Sequence, residues 1–407
     1  MENEGELKVM QQSSGIAKRT PPAWLSHGFR PFFLLGASFA VIALGWWIAG
    51  FQGMVAPPPS AFDPLAWHRH EMLFGMIGAI IAGFLLTAVP NWTGSEALKG
   101  RRLGILVALW LAARLAVATG GITGPWLAAL LDAGFLFVMA GWAWGRIRAA
   151  GNRNMPVPLL IGLLGLTALA DHAGLVLGVE RLADIGYRGG IAVILVLISL
   201  IGGRILPAFT RNWLEATGRG GPLPVTFNRF DGLTVLLTAL ALVAWAGLPE
   251  TALAASLLLA AGALQSLRLL RWRGWRTSAE PLMAVLHLSY AWLPVGLLLL
   301  GGSLLGLALP ATAALHALTA GAMGTMTLSV MTRAALGHTG RPLSAGAREI
   351  AIFALVHLGA LGRVIGAAFP GQYLELLGVS ALLWGGAFAL FALSYAPLLL
   401  RASPRPA

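Results

Sequence analysis

Residues 67–94 read WHRHEMLFGMIGAIIAGFLLTAVPNWTG, and this stretch decides the fold. Positions 67–90 predict a membrane-spanning helix, because about 20 mostly apolar residues cross the hydrocarbon core of a bilayer. Titratable side chains gather where the helix begins, at His68, Arg69, His70 and Glu71. Ionisable groups within a membrane span are costly and usually mark functional sites. The stretch therefore indicates both a membrane fold and the place of its chemistry.

The composition of the whole chain agrees with a membrane protein. Of the 407 residues, 57% are hydrophobic and 11% are charged, and the mean hydropathy is +0.77. Soluble domains carry about 25% charged residues. The formal net charge of +12 is spread along the sequence and not gathered in one patch, which argues against nucleic-acid binding. The chain has no cysteine, which excludes disulfides, thiolate-ligated haem, iron–sulfur clusters and a copper site with a cysteine ligand.

Twelve apolar segments predict an all-α polytopic membrane protein with one membrane domain over residues 32–400. Residues 1–31 are polar and weakly basic without an apolar signal region, and they are predicted to be a cytoplasmic leader. Residues 401–407 are predicted to be a cytoplasmic tail. The predicted spans are 32–52, 67–90, 103–119, 125–145, 156–178, 186–207, 231–248, 251–270, 282–301, 308–332, 350–368 and 374–400.

The basic residues predict the orientation of these spans. Most of the 28 lysines and arginines fall in alternate loops that share a side with the N-terminus. Cytoplasmic loops collect Lys and Arg, so both termini are predicted to be cytoplasmic. The start of the second span then lies at the outer face, and His172, His316 and His357 lie in the outer half. His287 falls in the inner half, and His27 and His338 fall at the inner face.

A weak internal similarity recurs every four spans. It joins TAVPNW (87–92), LPAFTRNW (206–213) and LSVMTRAAL (328–336). Three four-helix repeats with pseudo-threefold symmetry would resemble the main subunit of haem–copper oxidases. Short polar helix ends also resemble one another by chance, so the repeat stays one of two interpretations.

The two histidines of the opening stretch are predicted to serve different partners. On a regular helix, His68 and His70 point about 200° apart and do not easily share a metal ion. If the segment were still a loop, the pair could instead chelate copper. Glu71 could orient the His68 ring or relay protons, and Arg69 could pair with a haem propionate or reach the headgroups. The intramembrane pair Asp171–His172 could hold a metal or line a proton path.

Small residues follow the histidines at helical spacing. His316 is followed by Ala320 and Gly324, and Glu71 by Gly75, Ala79 and Gly83. Such stripes either let helices pack closely or leave room for a flat macrocycle beneath an axial histidine. The candidate metal ligands are His68, His70, His316 and His172. The candidate catalytic residues are Glu71 and Asp171. The candidate cofactor-binding residues are His70, His316, His68, His287, His27, Arg69 and Arg333.

Several long motifs resemble the NnrS family of membrane proteins. They are SHGFRPFFLLGA (26–37), the stretch 67–94, GRILPAFTRN (203–212), HLSYAWLPVG (287–296) and HALTAGAMGTMTLSVMTRAALGHTGRPL (316–343). The resemblance implies a multi-pass protein of the bacterial inner membrane that contains haem and copper and acts in denitrification and nitric-oxide defence. It assigns no ligands, and His172 and His357 lie outside these motifs.

Three classes of function are compatible with these observations. The first is a haem and copper redox protein that binds nitric oxide and reduces it, with haem b as cofactor and electrons from a membrane quinol or another membrane donor. Whether such a protein turns over as an oxidoreductase or only binds the gas stays open. The second is a twelve-helix transporter, and the third is an assembly factor that hands haem or copper to a respiratory enzyme. No nucleotide-binding or hydrolase motif is present in the sequence.

Overall fold

The computed structural model describes residues 21–307 and 310–402, which form a helical bundle without a β-strand in those two ranges. Most of the predicted leader, at 1–20, and the tail beyond Ala402 lie outside the described residues. We label the long helices α1 to α12 in chain order. They are Phe29–Phe51, Pro64–Thr93, Arg101–Ala118, Pro125–Ala149, Pro156–Leu177, Glu180–Ala216, Arg229–Gly247, Ala252–Arg271, Pro281–Leu304, Ala311–His338, Ala347–Ala368 and Tyr373–Leu400.

Eleven of these helices within the described residues are long and apolar enough to cross a membrane. The remaining one, α3, has 18 residues and contains Arg101, Arg102 and Arg114, which set it apart from the others. The prediction of an all-α polytopic membrane protein is thus confirmed, and each predicted span corresponds to one helix. The largest difference is α6, which extends beyond the predicted 186–207 at both ends and contains Pro207.

Three helices spaced four apart form the centre of the bundle. Helices α2, α6 and α10 contact one another. Their most apolar windows are 78%, 72% and 67% buried, more than in any of the other eight candidate spans in the described residues. Each is interrupted by a π-helical segment, at Glu71–Ile77, Ile198–Gly202 and Ala317–Thr325. This recurrence supports the interpretation of three four-helix repeats.

Each π-helical segment offers a backbone carbonyl to a side chain of a peripheral helix. Trp110 Nε1 donates to the Gly75 carbonyl at 3.0 Å, and Trp384 Nε1 donates to the Ala320 carbonyl at 3.1 Å. In the middle repeat, Arg268 Nη1 donates to the Ser199 carbonyl at 2.8 Å. A π-helical turn disrupts the regular hydrogen-bond ladder and occurs frequently at functional sites. The neighbouring helices thus bind the irregular part of each central helix directly.

Local sequence signals fix where α2 begins. The Asp63 side chain accepts hydrogen bonds from the backbone N–H groups of Leu65 and Ala66, and Pro64 occupies the first helical position. A capping aspartate followed by proline is a typical helix start. The helix is therefore already formed at His68, and the alternative of a copper-chelating loop is not supported by the structure.

Candidate functional site

Helix α2 presents its first two histidines to two different buried sites. His68 lines a cavity bounded by α1, α6, α10, α11 and α12, whereas His70 faces α4 and α5. The predicted angular separation of the two side chains is therefore realised. Since both lie within a single helical turn, the two sites are close neighbours along α2.

The first site, which we call the histidine–carboxylate cluster, comprises His70, Glu71, Arg114, Asp132, Asp171 and His172. His70 Nδ1 lies 2.8 Å from Asp171 Oδ2, and His70 Nε2 lies 3.0 Å from Asp132 Oδ2. His172 Nε2 lies 3.6 Å from the same Asp132 oxygen. One ligand atom from each of His70, Asp132 and His172 lies within 4.8 Å of the others, which is the spacing of a metal site.

Arg114 holds the carboxylates of this cluster in place. Its two terminal nitrogens form ion pairs with Glu71 Oε2 and Asp132 Oδ1, and all three side chains are buried. An unpaired buried charge is strongly destabilising, so each partner requires the other. Gly75 makes room for the pair, because a Cβ there would lie 2.2 Å from Glu71 Oε2 and 2.7 Å from Arg114 Nη1.

Aromatic rings and close helix packing seal the cluster. The Phe62 ring stacks on His70 with centroids 4.6 Å apart, and Phe74 lies on another side of the same imidazole at 5.0 Å. Helix α6 approaches the backbone of Asp171 closely at Gly186, where a Cβ would lie 2.3 Å from the Asp171 nitrogen. Neither ring nitrogen of His172 has a hydrogen-bond partner among residues 21–307 and 310–402. The cluster is thus buried, and the described protein groups do not satisfy all of its polar atoms.

The second site, which we call the histidine cavity, has a volume of about 430 Å³. Two histidines, His68 and His316, and two arginines, Arg69 and Arg363, line it together with aromatic and methionine side chains. The aromatic and methionine residues are Trp47, Phe51, Met72, Met76, Tyr187, Met323, Tyr373 and Trp384. Pockets for small molecules typically occupy about 300–1,000 Å³ and are mostly apolar with a few polar groups.

The imidazoles of the histidine cavity are held by specific contacts. His316 Nδ1 lies 2.7 Å from the Thr312 carbonyl and donates its proton there, which leaves Nε2 as the basic nitrogen. The His68 ring stacks on Trp47 with centroids 4.2 Å apart and an interplanar angle of 21°. His68 Nδ1 is buried without a hydrogen-bond partner in the described part of the chain.

The cations of the histidine cavity lie against tyrosines. The guanidinium of Arg69 lies 4.6 Å from the centre of the Tyr187 ring, and Arg363 Nη2 donates to the Tyr373 hydroxyl at 3.0 Å. Arg69 and Arg363 thus both line the histidine cavity. A smaller apolar cavity of about 100 Å³ lies between α2, α6 and α10 and shares Ile77 with the histidine cavity.

Other predicted site residues lie apart from both sites. His287 Nε2 is within 2.8 Å of Thr210 Oγ1, and Gly274 packs against its ring. Arg333 lies over the Phe209 ring at 4.3 Å, about 25 Å along α10 from His316 at 1.5 Å per residue. His357 bonds to Trp292 and Ser289 through its two ring nitrogens. None of these three residues lines the histidine cavity or joins the histidine–carboxylate cluster, and His287 Nδ1 has no hydrogen-bond partner in the described part of the chain.

His27 and His338 approach the same phenylalanine at the predicted inner end. The Phe29 ring centre lies 6.0 Å from that of His27 and 5.5 Å from that of His338. Burial, followed by the positive charge of Arg30, lowers the pKa of His27 below its usual value of 6.5. The imidazole is therefore neutral near pH 7, but no carboxylate joins this pair in a metal-binding group within the described residues.

The small residues that follow Glu71 and His316 do not all have the same role: some allow close helix packing, and one lines the histidine cavity. Gly83 packs against Phe33, and a Cβ on Gly324 would lie 2.7 Å from Trp384, so both serve helix packing. Ala320, one turn inward from His316, does line the histidine cavity. On α10, therefore, Ala320 but not Gly324 leaves room for a flat ligand.

Sequence reasoning underestimated Arg114, Asp132 and Arg363. Arg114 and Asp132 each interrupt an apolar span, and a buried charge requires a partner of opposite sign. That rule predicts from the sequence that Arg114 has an acidic partner, but it does not choose between Glu71, Asp132 and Asp171. Nothing local in the sequence signals that Arg363 faces His316, because α11 reaches the cavity only through tertiary packing.

The model of the family described as NnrS protein matches residues 23–403, nearly the whole chain. The chain belongs to the NnrS family. A search of curated proteins found no match to the sequence.

The NnrS assignment confirms the resemblance seen in the sequence motifs. Its match covers all twelve helices, including the three outside the quoted motifs that supply Arg114, Asp132 and His172. Membership connects the protein with nitric oxide and with metal binding. As an NnrS protein the chain is a multi-pass membrane protein, with His68 and His316 in one site and His70 and His172 in the adjoining one.

Proposed function

We propose that this protein is a haem-containing redox protein of the bacterial inner membrane that binds nitric oxide and reduces it. The proposal rests above all on one observation: His68 and His316, from different helices, face a single cavity that also holds Arg69 and Arg363. Its electrons would come from a membrane quinol or another membrane donor. Family membership supports the connection with nitric oxide.

The side chains of the histidine cavity fit a haem. A haem requires an imidazole for its iron, apolar walls for its ring and cations for its propionates. His316 offers a basic Nε2 because Nδ1 is bonded to the Thr312 carbonyl, and His68 is the second candidate ligand. Arg69 and Arg363 would bind the propionates. When bound, haem supplies a site for nitric oxide and one-electron redox chemistry.

The chain's own residues would supply protons next to this site. Reduction of two molecules of nitric oxide to nitrous oxide and water consumes two electrons and two protons. Glu71 and Asp171 are the proposed proton-carrying groups, because both are buried carboxylates near the histidine cavity. Glu71 lies within one turn of the cavity along α2, and Asp171 is bonded to His70. Glu71 Oε1 has no hydrogen-bond partner in the described ranges and is free to accept a proton. Copper, which the family resemblance also implies, would require ligands outside the histidine cavity.

The first experiment is a visible spectrum of the protein purified in mild detergent, oxidised and dithionite-reduced, with iron analysis of the same sample. We expect a sharp reduced α-band with stoichiometric iron and a spectral change when nitric oxide is added. His316→Ala and His68→Ala should lower haem content, and Arg69→Gln should weaken haem retention, whereas Arg333→Gln should not.

Two results would contradict the proposal. Absence of a Soret band in protein from haem-replete cells would remove the redox function and favour a transporter. Substoichiometric haem that exchanges readily with apo-myoglobin would instead favour an assembly factor, the third class of function. Nitrous oxide release from reduced protein and nitric oxide tests turnover directly.

A further inference from the structure

The histidine–carboxylate cluster has more acceptors than the protein itself satisfies. Glu71, Asp132 and Asp171 contribute three carboxylates, of which Arg114 pairs with Glu71 and Asp132, and Asp171 contacts His70. With neutral imidazoles, about two negative charges remain uncompensated in a buried site, which is costly. A divalent cation would neutralise it all.

The orientation of the rings points to one position for that cation. In the neutral tautomer that donates from His70 Nδ1 to Asp171, the lone pair of Nε2 faces Asp132 Oδ2, which lies 3.0 Å away. The buried His172 Nε2 faces the same oxygen at 3.6 Å and has no hydrogen-bond partner in the described part of the chain. With His70 in this tautomer, three electron-pair donors face one another, and a cation between them would take the place of the shared proton.

We propose that His70 Nε2, His172 Nε2 and Asp132 Oδ2 bind a divalent first-row transition metal ion. Ligand atoms around a tetrahedral ion with bonds near 2.0–2.1 Å lie about 3.3 Å apart. The two separations from Asp132 Oδ2 lie on either side of this value. Two imidazoles and one carboxylate suit zinc, copper or ferrous iron and leave a coordination position open.

The residues around the three ligands orient them in the way that is typical of metal sites. Asp171 accepts from His70 Nδ1 and fixes the tautomer that presents Nε2, as carboxylates behind metal-ligating histidines do. Arg114 binds the second oxygen of Asp132 and orients that carboxylate. This metal site does not depend on the proposed haem, because no ligand of one lines the other.

The test is equilibrium dialysis of the purified, EDTA-washed full-length protein against Zn²⁺, with elemental analysis and a thermal unfolding scan. We expect one tightly bound Zn²⁺ per chain and a higher unfolding temperature with zinc. His172→Gln should lose this ion. His357→Gln is the matched control, because His357 is also a partly buried intramembrane histidine but is hydrogen-bonded at both nitrogens.

A second variant keeps the proposal testable if His172→Gln does not fold. Asp171→Asn removes no ligand but should raise the Zn²⁺ dissociation constant about 10–100-fold. The proposal is overturned if wild-type protein binds no more Zn²⁺ than His172→Gln. It is equally overturned if zinc leaves the unfolding temperature of the wild type unchanged, or if Asp171→Asn and wild type bind zinc alike.

Discussion

His68 and His70 are two residues apart on one helix, yet they serve separate buried sites. His68 lines the histidine cavity, and His70 bonds to Asp132 and Asp171 on the other side of α2. We therefore expect the two histidines to be separable by mutation. His68→Ala should lower haem content and leave Zn²⁺ binding within twofold, while His70→Ala should do the reverse. Soret absorbance and elemental zinc analysis of the same preparations measure the two bound groups. Loss of haem and zinc together in each variant would contradict two independent sites.

Arg114 is expected to be essential for stability. Replacing it by methionine leaves Glu71 and Asp132 buried without their cation, a loss of about 3–5 kcal/mol for a broken buried pair. The unfolding temperature in detergent should fall markedly. Arg188→Met is the control, since its pair with Asp184 is partly exposed and worth about 0–1 kcal/mol. Equal falls in the unfolding temperature of the two variants would show that the buried ion pairs stabilise the protein no more than the partly exposed pair.

Gly75 is expected to tolerate no side chain. In Gly75→Ala the new methyl group would overlap Glu71 Oε2 and Arg114 Nη1, so we expect a destabilisation of about 1–3 kcal/mol. Gly134→Ala, at a helical glycine with no atom within 4 Å of the added Cβ, should be neutral or slightly stabilising. Thermal unfolding compares the pair. A Gly75→Ala protein as stable as wild type would mean that the side chains of the histidine–carboxylate cluster move to admit the methyl group without loss of stability.

Trp384 is expected to support both α10 and the histidine cavity. Trp384→Phe removes the donor to the partly buried Ala320 carbonyl, and the loss of such a hydrogen bond costs about 0.5–1.5 kcal/mol. Because Trp384 also lines the cavity, the Soret maximum should shift if haem is bound there. Trp144→Phe, at a position 37% exposed, should change neither property. A spectrum identical to wild type for Trp384→Phe would count against haem in this cavity.

The orientation of the chain can be tested without removing any native thiol, since the sequence has no cysteine. Met54→Cys is placed in the predicted outer loop, where Met54 is 66% exposed, and Ala402→Cys follows α12 on the predicted inner side. In spheroplasts, a membrane-impermeant maleimide should label Cys only in the first variant. After lysis it should label both. Labelling of the second variant in sealed spheroplasts would reverse the predicted topology.

The sequence by itself determined the membrane fold and the direction of individual side chains along a helix. Apolar length is a local property, so each of the twelve predicted spans corresponds to a helix. The divergence of His68 and His70 is equally local, because it follows from 100° per residue. Even the three-repeat interpretation drew on short local motifs, now supported by the π-helical segments of α2, α6 and α10.

Only the tertiary structure decided which side chains meet. Asp132 and His172 lie far from His70 in sequence, and they converge because α4 and α5 pack beside α2. In the same way α11 brings Arg363 to the histidine cavity, whereas Arg333 lies over the Phe209 ring and His287 lies beside Thr210, away from that cavity. Hydropathy places a residue at a depth in the membrane, but it does not specify which helices are neighbours. A site made of single residues from several helices is therefore settled by packing.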